Sequence, residues 1–326
     1  MRKALGLAAL LAVLAVMTSA WQYSHSENGH ISFLSVANIR NQLTWIGLFG
    51  ILSLGQSLVI ITGGIDLSVG SVVALVGCSL AMLMDSGHGM HPALAIPLVL
   101  GISVLIGAFH GVLIAKVRLQ PFIVTLCGLF LYRGGARFLT GDRSQGFGDA
   151  YPGLRDLGKG FVFENIPIPF LFLLGLALIV GAFLHLSPQG RHLFALGANE
   201  ESARFSGVHT DRLKMSAYVA CSLLSGWAAI LLAFKVPSIG SSDFGNFYEL
   251  YAIAGAVLGG CSLRGGSGHI LGIAIGASLI VLLRNIVVIL GIPSQMEYVV
   301  IGSAILIGVG VDEVFTRRKQ IRTRTA

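Results

Sequence analysis

Residues 41–84 read NQLTWIGLFGILSLGQSLVIITGGIDLSVGSVVALVGCSLAMLM, and Asp66 is their only Asp, Glu, Lys or Arg. With Asp85, it is one of two such charges in the 75 residues between Arg40 and Lys116. At roughly 20 residues per bilayer crossing, that run holds about three spans. Backbone groups in hydrocarbon must be satisfied internally, and stretches this long and this uniformly apolar are not barrel strands. They are helices. The rest of the chain agrees: 54% hydrophobic and 11% charged residues over 326 positions are too apolar for a soluble core and too long for a single anchor. The expected fold is an all-α polytopic membrane protein, with one transmembrane domain over 1–326.

Ten spans are expected, near 4–21, 43–63, 67–84, 93–115, 119–139, 167–186, 215–235, 250–263, 268–290 and 297–315. The fifth and eighth are the weakest by pattern. With the N-terminus inside, the cytoplasmic segments carry fourteen Lys and Arg and the external segments four, or five with Lys235 at the end of its span. That asymmetry places the polar segment 190–214 and the basic tail 316–326, containing RRKQIRTR, in the cytoplasm, and loop 140–166 outside. The net charge of +7 therefore reads as an orientation signal, and the scatter of basic residues over loops gives no nucleic-acid surface. The first segment has two readings, a span that stays or a secretory signal ending at MTSA before Trp21; its apolar run of about 17 residues favours the span. Cys78, Cys127, Cys221 and Cys261 stand singly and read as small buried residues.

Enzyme chemistry has little to stand on. GLRDLGKG, residues 153–160, follows the phosphate-loop spacing G-x-x-x-x-G-K and then puts Gly160 where a hydroxyl should meet magnesium; no buried strand precedes it. Lys159 is therefore not expected to bind nucleotide. The nine histidines show no metal-ligand spacing. A membrane-embedded transferase would need acids or histidines clustered on one membrane face, and a secondary transporter would need paired intramembrane acids. Neither is present.

The polar segment 190–214, GRHLFALGANEESARFSGVHTDRLK, sits between two uncharged runs. Asn199 suits an N-cap, Glu200 and Glu201 suit the positive end of a helix dipole, and Gly207 suits a stop. The result is a helix of roughly 10 Å, too short to span, lying on the membrane or in a partner. A solvated connector is the alternative. In GGIDLSVGS, Gly63 and Gly64 interrupt the second span, and Asp66 can cap the third. With Ser68 and Ser71 nearby, Asp66 reads either as the cap of a helix-break-helix turn or as a gate. Arg137 is expected to snorkel. Arg133, and Asn285 beside Arg284, are candidates for a polar pathway lining.

Three stretches carry a resemblance: GQSLVIITGGIDLSVGSVVAL (55–75), GAFHGVLIAKVRLQPFIVTLCGL (107–129) and the 190–214 segment. They look like the membrane permeases of ribose-type sugar ABC importers, and FYELYAIAGAVLGGCSLRGGSGHILG (247–272) extends the match in the same order. The resemblance implies a ten-helix permease pairing with a second copy or paralogue. Cytoplasmic ATPase subunits beneath would carry the ATP and magnesium, this chain binding no cofactor itself, and an extracytoplasmic sugar-binding protein would dock above. Under it, Gly197, Glu200, Glu201, Ala203 and Gly207 match in outline the family's ATPase-coupling loop, with Ser202 departing. Glu249 stands where the family has an acid, while Tyr251, Cys261 and Gln120 replace its usual Asp, Thr and Pro. The function implied is import of a monosaccharide (ribose-, xylose- or galactose-like) by alternating access across a bacterial inner membrane. Related importers of nucleosides, branched-chain amino acids or a furanosyl signal molecule are the alternatives.

Overall fold

The computed structural model describes residues 2–25, 31–85, 89–147, 151–293 and 296–303, with 306 and 310. In chain order the helices are α1 (Arg2–His25), α2 (Val36–Ile61), α3 (Val69–Met84), α4 (Pro92–Ala115), α5 (Pro121–Thr140), α6 (Pro152–Lys159), α7 (Ile168–Leu186), α8 (Pro188–Ala198), α9 (Glu200–Phe205), α10 (Thr210–Lys235), α11 (Tyr248–Leu258) and α12 (Ile270–Ile289). One small hairpin, β1 (Phe161–Val162) with β2 (Ile166–Pro167), lies between α6 and α7. Helix starts follow local chemistry. The Ser35 hydroxyl accepts from Asn38 N at 3.2 Å before α2, and Pro92 and Pro121 occupy first turns, where the missing N–H costs nothing.

α2 and α10 form the centre and are buried along most of their length, while α4, α5 and α7 turn outward side chains such as Leu105, Phe109, Phe130, Leu178 and Ile179 toward lipid. Lipid tails are as apolar as leucine, so packing of small residues, and not water exclusion, brings such helices together. On α4, a Cβ at Gly107 would lie 2.6 Å from the Tyr218 carbonyl oxygen of α10. Two G-x-x-x-G pairs do the same for α11 and α12, where Gly255 and Gly259 meet Gly272 and Gly276 backbone to backbone.

Seven helices among the described residues are long and apolar enough to cross a bilayer. The expected count of about ten is approximate for a physical reason: two apolar segments stop short. α3 has 16 residues and α11 has 11, which at 1.5 Å per residue is about 24 Å and about 16 Å against a hydrocarbon core of about 30 Å. The expected eighth span, 250–263, is thus a half-length helix ending at Leu258. The fifth is a full 20-residue helix, and the tenth and the basic tail fall largely or wholly outside the described residues.

Residues 239–247 account for the short α11. Gln145 and Ile239 exchange backbone hydrogen bonds of 2.9 and 2.7 Å just beyond the ends of α5 and α10, and Thr140 Oγ1 donates to Ser241 Oγ at 2.9 Å. The chain then descends beside α3 until Gly245 meets Gly70, and Phe247, at φ 62°, turns it into α11. Irregular backbone at membrane depth survives only when protein satisfies it. Arg133 of α5 does so, donating from Nη1 to the carbonyls of Ser241 (3.1 Å) and Phe244 (2.6 Å).

Other expectations are refined. Arg137 does not merely reach for solvent, since its Nε and Nη2 clamp Asp142 at 2.7 and 2.9 Å beyond the end of α5. That guanidinium holds the exposed Asp142 carboxyl below the ordinary carboxylate range. Cys127 is exposed on α5, unlike the three buried cysteines. GLRDLGKG lies within α6 and the residue after it, with Gly158 pressed on the backbone of Leu231, Phe234 and Lys235 at the end of α10.

Candidate functional site

The break between α2 and α3 is built from its own residues. Gly63, at φ +83°, ends α2, and Gly64 donates its N–H to Val59 O at 3.2 Å. Asp66 is buried, and its Oδ1 accepts from both the Ser68 N–H (2.8 Å) and the Ser68 hydroxyl (2.6 Å), an Asx turn one residue before α3. Ser71 donates back to the Ser68 carbonyl at 2.7 Å. The neighbours close around this turn. With its amide oriented to serve both groups, Gln56 donates to Asp66 O (3.2 Å) and accepts from Asp66 N (3.0 Å). Thr125 of α5 donates to Ile65 O at 3.2 Å.

Three residues that sequence reasoning passed over complete the buried cluster. His110 of α4 is fully buried, and its Nδ1 faces Asp66 Oδ2 at 3.9 Å, beyond hydrogen-bond length. Its Nε2 meets the Tyr132 hydroxyl of α5 at 2.8 Å. Tyr218 of α10 aims its hydroxyl at Gly64, where any Cβ would collide with it. Among the described residues, Asp66 Oδ2, His110 Nδ1 and the Tyr218 hydroxyl have no hydrogen-bond partner. A carboxylate oxygen and an imidazole nitrogen held just apart in a low-dielectric site form a contact that a sub-ångström shift of α3 against α4 makes or breaks. The signal was present as a single histidine in the apolar string GAFHGVLIA, and nothing in the linear sequence put it opposite Asp66.

The polar segment is two helices, not one helix in a loop. Ser187 caps α8 by accepting from Gly190 N at 3.0 Å, and Asn199 caps α9 by accepting from Ser202 N at 2.8 Å, as expected. Glu200 and Glu201 fill the first turn of α9, Ala203 is its buried anchor, and Gly207 ends it at φ +83°. The two glutamates differ. Glu200 is engaged by Lys214 Nζ at 2.6 Å and Arg204 Nη2 at 3.2 Å, whereas Glu201 is exposed. Glu201, Phe205, Lys214, Arg118 and Gln120 line an open cleft of about 590 Å³ between α9 and the α4–α5 turn.

Gly197 joins these two sites. Any Cβ there would strike the Ile61 carbonyl at the end of α2 and the Gly266 N–H. Gly266 N donates to Ile61 O at 2.9 Å, and a Cβ at Gly265 would lie 2.6 Å from Gly197 O. The end of α8, the start of the 62–68 break and the loop after α11 therefore meet backbone to backbone. Glu249, in the first turn of α11, is buried beside Gly70 on the far side of α3's first turn. Asn285 is elsewhere: it exchanges amide hydrogen bonds of 3.1 and 2.7 Å with Asn38, joining α12 to the N-terminal end of α2.

The helical bundle has a broken span, a half-length helix and a capped six-residue helix joined backbone to backbone to the break, an arrangement suited to a solute permease. The family model described as branched-chain amino acid transport system / permease component matches residues 38–309, and the chain belongs to that family. It is 39% identical over 282 residues to the ribose import permease RbsC of Bacillus subtilis, covering 86% of each chain. Against RbsC of Escherichia coli K12 the figure is 35% over 309 residues, 94% of this chain and 92% of that one. Against the autoinducer 2 import permease LsrD of Photorhabdus laumondii it is 33% over 277 residues, 84% and 82%. No solved structure matches. The chain is a multi-pass membrane permease subunit of the ribose-type ABC importer class.

Proposed function

We propose that this permease imports a pentose or a comparably small polyhydroxylated solute, driven by ATP that separate cytoplasmic subunits hydrolyse with magnesium. The observation that carries the reading is the backbone junction at Gly197, which ties the capped helix α9 to the broken span at Asp66. A six-residue helix held at both ends moves as a rigid lever when a partner closes on it. Its displacement reaches Ile61 and the 62–68 turn directly, and there the Asp66–His110 contact acts as a latch between the α2–α3 break and α4. Glu201 and the exposed Phe205 present the partner surface. Opening to the outside receives solute from an extracytoplasmic binding protein, and a second permease subunit completes the pathway. Ribose is favoured by the 39% identical relative; a furanosyl signal molecule is the second reading, favoured by the autoinducer 2 relatives.

The test is reconstitution of the full chain in proteoliposomes with its ATPase and binding protein. ATP-dependent uptake of labelled ribose, or of a related furanose, is expected, with no ATP hydrolysis by the permease alone. ATP-dependent uptake confined to amino acids would overturn the substrate class, and ATPase activity in the isolated permease would overturn the division of labour.

A further inference from the structure

A cavity of about 340 Å³ at the external membrane edge is lined by Arg40, Lys159 and Lys235 together with Asn41, Thr44 and Phe161. The three cations come from distant parts of the chain: the second turn of α2, the last residue of α6 and the last residue of α10. Among the described residues no carboxylate lies in ion-pair distance of any of them, and none lines the cavity. Among the described residues, Arg40 and Lys235 contact neutral groups. Arg40 donates from Nε and Nη2 to Asn165 Oδ1 at 3.2 and 2.7 Å and lies 5.2 Å over the Phe161 ring. Lys235 Nζ lies 5.3 Å over the Trp45 ring, which also carries Arg284 at 5.3 Å.

Three like charges around one hollow repel one another unless something anionic enters, and a single phosphodiester in the hollow would meet all three. The position favours lipid as the source. Arg40 and Lys235 sit at the outer ends of membrane-crossing helices, beside an interfacial tryptophan. Phe161 (43% exposed), Val36 (58%) and Ile39 (42%) lie in or beside the cavity-lining segments in sequence and offer apolar surface that acyl chains could cover. We propose that this cavity binds the headgroup of an anionic phospholipid of the outer leaflet, fastening the hairpin-bearing external loop to the ends of α2 and α10.

The experiment uses the full-length permease in detergent, with phosphatidylglycerol, phosphatidylcholine and inorganic phosphate as probes, read by retained lipid in native mass spectrometry. Phosphatidylglycerol should be retained in preference to phosphatidylcholine. Binding should weaken about fivefold in Lys159→Gln and about thirtyfold in Lys159→Gln with Lys235→Met, following the attraction of each basic group at a membrane surface. Lys159 is exposed, so the single variant tests the site even if the double variant folds poorly. Millimolar phosphate should not displace the lipid. Equal retention of both lipids, or retention unchanged in Lys159→Gln, would overturn the proposal. Displacement by phosphate would make the site one for a free anion, and unchanged lipid binding with weakened docking of an acidic soluble protein would make it a protein contact; either result also overturns it.

Discussion

Gly197→Ala isolates the junction between the cytoplasmic lever and the broken span. Two effects oppose each other. Gly197 lies within α8, and alanine there favours the helix by about 1 kcal/mol. Against this, its methyl group would strike the Ile61 carbonyl and the Gly266 N–H, both backbone atoms with no side-chain freedom to yield. Overpacking of this kind costs about 1–3 kcal/mol, and loss of the Gly266–Ile61 hydrogen bond adds about 0.5–1.5 kcal/mol. The collision wins by about 0.5–3.5 kcal/mol, or roughly thirtyfold at the middle of that range. That is enough to part α8 from α2 and too little to unfold a bundle centred on two buried helices. In proteoliposomes the variant should insert and bind the ATPase, yet move less solute per ATP hydrolysed. Gly134→Ala, a site on α5 with no neighbour within 4 Å, is the control and should transport normally. Gly197→Ala with an unchanged ratio of uptake to hydrolysis would refute the idea that motion passes through this junction.

The two glutamates of α9 should separate. Glu200→Lys faces Arg204 and Lys214 and should lower thermal stability measurably, whereas Glu201→Lys should leave stability within about 0.5 kcal/mol and impair ATPase binding. The same defect in both would mean that Glu201 does not face the partner. Asp66→Ala leaves the buried Ser68 N–H without its acceptor, a cost of about 1–3 kcal/mol, whereas His110→Gln keeps a polar group facing Asp66. We expect Asp66→Ala to abolish uptake and His110→Gln to reduce it severalfold, and wild-type uptake in the latter counts against the latch. Topology is checked by single cysteines in a background lacking the native four: Ser202→Cys should label only from the cytoplasm and Glu164→Cys only from outside. Labelling of both from one side would reverse the orientation.

The membrane fold was legible in the amino-acid order because it depends on summed composition. Apolar runs of about 20 residues must become helices in lipid, whatever those helices later touch. Local signals were equally readable: Asn199 caps α9, Gly207 stops it, and the Gly63–Gly64 break ends α2, because caps and positive-φ turns are decided within a few residues. Packing was not local. Only the tertiary structure set His110 against Asp66, 44 positions apart, and put Arg133 against the carbonyls of Ser241 and Phe244. Likewise, the eighth segment was weak by pattern, but where its helix starts depends on what satisfies the backbone before it. Gly197 reads in the sequence as one small residue of a loop, and its role exists only because α2, α8 and the loop after α11 converge where no side chain fits.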